Sequence, residues 1–170
     1  QLGMRIKLLG ITEIIKGELF ERVHPCLVDN KSYIGNVNGV MNAVILNGLP
    51  VGETILQGEG AGPGPTSSSL LSDLLSILRG NIKNPFGISS IKHKKLKSYN
   101  LANYTNSLYL RFEVKDVPGV MSKITDKLAK YNISIKRLIQ TPNHKSNRAT
   151  IVMTTHKTTE KNIQQCLKII

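Results

Sequence analysis

The 170-residue chain is 40% hydrophobic and 20% charged, the balance of an ordinary globular protein long enough to bury a core without metals or disulfides. No apolar run approaches the roughly 20 residues that cross a bilayer, and Cys26 and Cys166 lie too far apart for a cysteine-rich zinc site, which leaves reduced thiols in a cytoplasmic setting as the expectation. The net charge of +12 is uneven, with six basic against seven acidic groups in residues 1–80, five lysines and no acid in 81–107, and twelve basic against four acidic groups in 108–170.

The first ten residues lack the apolar core and cleavage site of a signal peptide. Arg5 to Ile11 alternates and then runs apolar, and Leu19 to Val28 is a second extended stretch. Val40 to Leu46 and Val51 to Leu56 are rich in Val, Ile and Leu, with the hairpin punctuation Asn47-Gly48-Leu49-Pro50 between them. Strands of a mixed or antiparallel sheet are expected here. After Pro65, Thr66 or Ser67 caps a predicted helix whose face is Leu70, Leu71, Leu74, Leu75 and Leu78, and Gly80 is placed to stop it.

Residues 81–106 are rich in Asn, Ser and Lys, show no sustained period and read as a basic linker. The run His93-Lys94-Lys95-Leu96-Lys97 could meet phosphates. With no Trp, three Phe and five Tyr in the chain, however, it lacks aromatic platforms for bases. A solvated tether is the better reading, and no nucleic acid or membrane partner is expected.

A second unit follows, from Leu108, Leu110, Phe112 and Val114 on one side of a strand. A tight Asp116-Val117-Pro118-Gly119 turn leads into a helix with Val120, Ile124, Leu128 and Tyr131 on one stripe. Ile133, Ile135 and Leu138–Ile139 form another strand, Thr141 to Asn147 a polar loop, and Ala149 to Thr155 a third strand. Thr158 or Thr159 starts a last helix with Ile163, Leu167 and Ile170 on one face. The order is β-α-β-β-α.

Two glycine turns carry the chemical interest. Gly58-Glu59-Gly60-Ala61-Gly62-Pro63-Gly64-Pro65-Thr66 lies between strand and helix, where amides and a helix N-terminus could meet an anion. Pro63 and Pro65 interrupt any dinucleotide fingerprint, and a simple connection is the alternative. The Asp116–Gly119 turn offers amides to a carboxylate and the Asp116 carboxylate to an ammonium group, or again merely connects. His24, His93, His144 and His156 are scattered, with no metal spacing, and His24 reads as structural. Glu59 and Asp73 are the only acids near the first turn, so no acid–base pair assembles, no catalytic residue is assigned and no metal site is expected.

Four stretches together resemble the C-terminal portion of bacterial homoserine dehydrogenases: Arg5–Ile11, Val23-His24-Pro25 with Leu27-Val28, Asn36 to Val44, and Gly58 to Ser68 with Asp73-Leu74. Residues 107–170, with the Asp116–Val120 turn, resemble an ACT domain, a ferredoxin-like amino-acid sensor. The resemblance implies an α+β chain. Residues 1–80 are then the C-terminal part of a catalytic domain, 81–106 a linker, and 107–170 an ACT domain whose last strand is not in the sequence.

The implied reaction is the NAD(P)-dependent interconversion of aspartate 4-semialdehyde and homoserine, with threonine feedback on amino-acid biosynthesis. The nucleotide-binding domain and the catalytic Lys and Asp of such enzymes lie upstream of the point matching Gln1. The piece is therefore expected to be inactive alone and to bind no NAD(P) itself. By the same resemblance Gly62, with Gly60 and Ala61, touches the cofactor in the whole enzyme. A small amino acid such as threonine binds at Asp116, Gly119 and Val120 and against Ile133, Ser134 and Ile135, with Gln140 adding a side-chain amide. Such domains work as homodimers or higher homo-oligomers. The alternative is a stand-alone amino-acid-binding module without enzyme activity.

Overall fold

The computed structural model describes residues 2–81, 84, 87, 89, 92–143 and 146–170. Part of the expected linker, and His144 with its neighbour Lys145, lie outside the described residues. Contacts divide the chain into two units, residues 1–11 with 22–96 and residues 12–21 with 97–170. The fold class is α+β, as read from the sequence.

In the first unit the strands are long and amphipathic. β1 (Met4–Ile15) and β2 (Glu18–Asp29) form a hairpin around Lys16-Gly17. Both turn residues have positive φ, 52° and 81°, the pair of left-handed conformations whose twist matches that of the flanking strands. β3 (Met41–Gly48) and β4 (Gly52–Glu59) pair antiparallel from Met41↔Glu59 to Gly48↔Gly52, around the turn expected from Asn47 to Pro50. A single 3-10 turn, Ile34–Asn36, precedes the Val37–Asn38 corner. Arg5 Nη1 donates to the Gly35 carbonyl at 3.2 Å, and Lys7 Nζ donates to the Val37 carbonyl and to Asn38 Oδ1, so two cations of β1 fasten that loop.

Helix α1 (Pro63–Leu78) starts four or five residues earlier than a cap at Thr66 or Ser67 would have it, with Gly62 as its N-cap. Proline is suited to a first turn, because φ is preset and the missing N–H has no intrahelical partner there. The stop is as expected: Gly80 has φ of 72°, its amide donates to Ile77 and that of Asn81 donates to Ser76, a double closure of the last turn. None of the residues of α1 is buried.

The second unit holds the packed core. β6 (Tyr109–Lys115), β7 (Ile135–Asn143) and β8 (Arg148–Thr155) form an antiparallel sheet in the order β6-β8-β7, leaving β6 and β7 at its edges. α2 (Val120–Lys130) and α3 (Glu160–Leu167) cover one face. Leu110, Ile124, Leu128, Ile133, Ile151, Met153, Ile163 and Cys166 make the core, with Leu108, Phe112, Val114, Val120, Tyr131 and Ile135 packed around it. Each fully buried aliphatic side chain contributes about 1.5–3 kcal/mol.

Thr159 caps α3, its hydroxyl accepting the Asn162 amide at 3.2 Å. The buried stripe of α3 is Ile163 and Cys166; Leu167 and Ile170 are 41% and 45% exposed and do not share it. β7 runs to Asn143, so Thr141 to Asn143 extend the strand where the polar composition suggested loop.

Ten residues of the sequence-defined linker are built structure. Residues 97–99 run beside Leu19, the 3-10 turn Leu101–Asn103 follows, and β5 (Thr105–Asn106) pairs with β9 (Thr158–Thr159). The hairpin tip thereby joins the second unit. Its Phe20, 1% exposed, stacks on Tyr104 at 4.0 Å between ring centroids and meets Tyr99 edge-on at 6.4 Å.

Candidate functional site

The first glycine turn is held by β3. The Gly60 amide donates to the Val40 carbonyl at 2.8 Å, and a Cβ on Gly60 would lie 1.5 Å from Asn42 Nδ2. Asn42 thus occupies the space a side chain at position 60 would need. Gly60, Ala61 and Gly62 are exposed, and Gly62 takes φ of 125°, with Pro65 Cδ 3.6 Å from where its Cβ would be. Pro63 and Pro65 have no N–H, and the Thr66 amide is already bonded to the Gly62 carbonyl at 3.2 Å. Of the first three helical residues only Gly64 offers an amide, so the turn suits close backbone contact with one edge of a ligand, not a phosphate cradle. These residues fit a glancing contact with NAD(P), not a pocket for it.

A cavity of about 310 Å³ is lined by Lys7, Leu8 and Leu9 of β1, by Ile34 and Val37, and by Met41, Asn42 and Ala43 of β3. Its lysine is already committed to the Val37–Asn38 loop. Among the described residues no group of three His, Cys, Asp or Glu is placed to hold a metal ion. His24 Nε2 stands 3.3 Å from Cys26 Sγ on β2. Burial pushes the Cys26 thiol up, against the lowering influence of Arg22, and burial likewise pushes up Cys166, so neither is an activated nucleophile.

The second turn is a more articulated site. Gly119, φ of 88°, is the N-cap of α2, and its carbonyl accepts the Lys123 amide at 3.1 Å. The Asp116 amide donates to Asn147 at 3.1 Å, and Asp116 Oδ1 accepts from Gln140 Nε2 at 3.2 Å. The turn therefore reaches past β8 to the edge strand β7. Asp116 and Gln140, brought together here, are 24 residues apart in sequence.

The other three residues expected at this site are elsewhere. Ser134 precedes β7 and its carbonyl accepts the His156 amide at 2.8 Å, while Ile135 pairs with Thr155. Five residues of extended strand, about 17 Å at 3.3 Å per residue, separate Ile135 from Gln140. Ile133 is 4% exposed, its side chain spent on the core. Within one copy, Asp116–Val120 with Gln140 lies at one end of β7 and Ser134–Ile135 at the other.

On the opposite face of the sheet, Glu113 accepts two bonds from Arg111, at 2.8 and 3.1 Å, and one to each carboxylate oxygen from Thr150, at 2.9 Å. The Arg111 hydrogen bond, then that of Thr150, holds the Glu113 carboxyl below the usual carboxylate range. Sequence patterning showed the strands but not this cluster, because Thr150 and Glu113 meet only through the β6–β8 register.

With the geometry in hand, comparison places the chain. Residues 1–75 match the homoserine dehydrogenase family model and residues 108–170 the ACT domain model. The homoserine dehydrogenase of Neisseria gonorrhoeae is 37% identical over all of this chain and 40% of its own length, and that of Helicobacter pylori 36% identical over 99% and 39%. The crystal structure of a homoserine dehydrogenase from Thiobacillus denitrificans superimposes with a TM-score of 0.81 at 34% identity, over 99% of this chain and 39% of that one. The chain thus spans about two fifths of the length of these relatives. Residues 1–75 are thus a homoserine dehydrogenase family stretch, and residues 108–170 an ACT domain.

Proposed function

We propose that this chain is the sheet-and-sensor portion of a homoserine dehydrogenase that interconverts aspartate 4-semialdehyde and homoserine with NAD(P). Its ACT domain binds a small amino acid, threonine, at an interface between two copies. The observation that carries the sensing half is the separation of the two half-sites along an open edge strand. A carboxylate-bearing amino acid needs amide donors and an acceptor for its ammonium group within one small volume. The Asp116–Val120 turn with Gln140 supplies one part of that set, and the Ser134–Ile135 segment supplies another too far off to share a ligand.

Antiparallel pairing of β7 with β7 of a second copy resolves the separation. A two-fold axis through the middle of the strand brings Ser134 of the second copy beside the Asp116 end of the first. Each interface then holds two equivalent sites, and ligand and dimer stabilise one another.

For the dehydrogenase half, Gly60, Ala61 and Gly62 give a backbone edge against which a dinucleotide held by other parts of the enzyme can rest. The hydride belongs to the nicotinamide. What these residues do is confine its position while adding no charge.

Calorimetric titration with L-threonine, run with sedimentation across protein concentrations, tests the sensing reading. Expected are one ligand per chain, dimerisation that tightens with threonine, and loss of binding in both Asp116→Ala and Ser134→Pro. Binding by a monomer, or undiminished binding in both variants, overturns it. No NADPH oxidation with aspartate semialdehyde is expected from this stretch of chain alone, and turnover by it would overturn the division of labour proposed here.

A further inference from the structure

The tip of the β1–β2 hairpin is locked more thoroughly than a surface turn requires. Leu19 exchanges two backbone hydrogen bonds with the 97–99 segment, its amide donating to Lys97 and its carbonyl accepting from Tyr99, both at 2.8 Å. Glu18 adds an ion pair with Lys97 at 3.0 Å. Phe20 is the largest fully buried side chain among the described residues, and it is clamped between Tyr104 and Tyr99.

Tyr104 is in turn tied to the start of α3, its carbonyl accepting the Glu160 amide at 2.9 Å. The adjoining β5–β9 pair leads back to His156, whose amide donates to Ser134. From Ser134 to the Phe20 ring the path is continuous, through backbone hydrogen bonds, one short strand pair and one ring stack.

We infer that the Phe20 clasp is a regulatory strap, through which the Ser134 half-site of the ACT domain and the β1–β2 hairpin share one local opening equilibrium. The hairpin is suited to carry that state, because its strands continue without a break into residues 4–11 and 22–29 of the first unit. Coupling of this kind is reciprocal: what loosens the tip loosens the far end of the path, and a ligand that orders one orders the other. The shared equilibrium stands without reference to any ligand, whereas its use in feedback rests on the amino-acid-sensing reading above.

Amide hydrogen exchange followed by NMR on the full chain, without ligand, decides the point. In Phe20→Ala the amides of Leu19 and Tyr99 are expected to exchange at least tenfold faster, and those of Glu160 and His156 to follow by a comparable factor. Met153, in the central strand, is expected to stay within twofold of the wild type. Acceleration confined to Leu19 and Tyr99 overturns the inference, since the clasp is then local glue. Equal acceleration at Met153 overturns it too, since the substitution then only lowers global stability. Phe20→Leu, which keeps volume and loses the ring stack, gives the same comparison if the alanine variant does not fold.

Adding L-threonine separates the two readings. Slower exchange at Leu19 and Tyr99 that disappears in Phe20→Leu supports the strap as a feedback element, and binding without any change at the tip overturns that use. Absence of threonine binding counts against the effector reading alone, and the ligand-free comparison still decides the strap.

Discussion

Thr158 is 6% exposed, and its hydroxyl has no hydrogen-bond partner among the described residues. Satisfying a buried hydroxyl matters more than having one, because its desolvation cost is incurred either way. Thr158→Val keeps the shape, removes the orphan oxygen and favours the extended conformation of β9. The variant is expected to be more stable by roughly 1 kcal/mol in denaturant unfolding. Glu113 shows the reverse case, a carboxylate with every contact satisfied though solvent reaches it. Its pKa is lowered by folding, so its contribution is present above the ordinary glutamate range and is lost as pH falls through the lowered value. Thermal unfolding of Glu113→Gln should therefore depend less on pH on the acid side than the wild type does. High salt should narrow the gap between the two, as expected for an exposed pair.

Among the elements, the stripe of α2 and the stop of α1 were the most legible in sequence. The Val120, Ile124, Leu128 and Tyr131 stripe and the Gly80 stop follow from local periodicity and backbone freedom, so no distant contact was needed to find them. The alternation of β6 was legible for the same reason. Residues 97–106 were not, because their order comes from partners far off in the chain: Leu19 for the first three, Thr158 and Thr159 for the last two. The candidate site was half legible. The Asp116 turn could be read from its proline and glycine, but the Gln140 contact depends on the β7–β8 register, and nothing in a strand's composition tells which end of a sheet its neighbours occupy. The β1–β2 turn carries one local misfit, Lys16 at φ of 52° where asparagine or glycine is usual. Lys16→Asn is expected to raise hairpin stability by roughly 1 kcal/mol, seen as slower amide exchange at the tip.

Over the whole molecule, burial is lopsided. Every buried hydrophobic side chain among the described residues, Phe20 included, belongs to the second unit. The first unit instead displays Ile6, Leu8, Val23, Val44 and Leu46 on its strands and Leu70, Leu71, Leu74 and Leu78 on α1, all more than half exposed. Apolar surface on that scale marks candidate contact faces. The dehydrogenase match covers most of those exposed faces together with the hairpin tip that packs in the second unit, and the ACT match falls on a unit with its own core.

The placement of the hairpin tip also predicts what a protease leaves behind. Lys92, Lys94 and Lys95 are exposed, and trypsin should nick the backbone there. Because Leu19 and Phe20 stay bound to the 97–104 segment, the severed pieces should travel together through gel filtration and part only in denaturant. Nicked Phe20→Ala should come apart in buffer, because the two Leu19 hydrogen bonds and the exposed Glu18–Lys97 pair are too weak to hold the pieces without the buried ring.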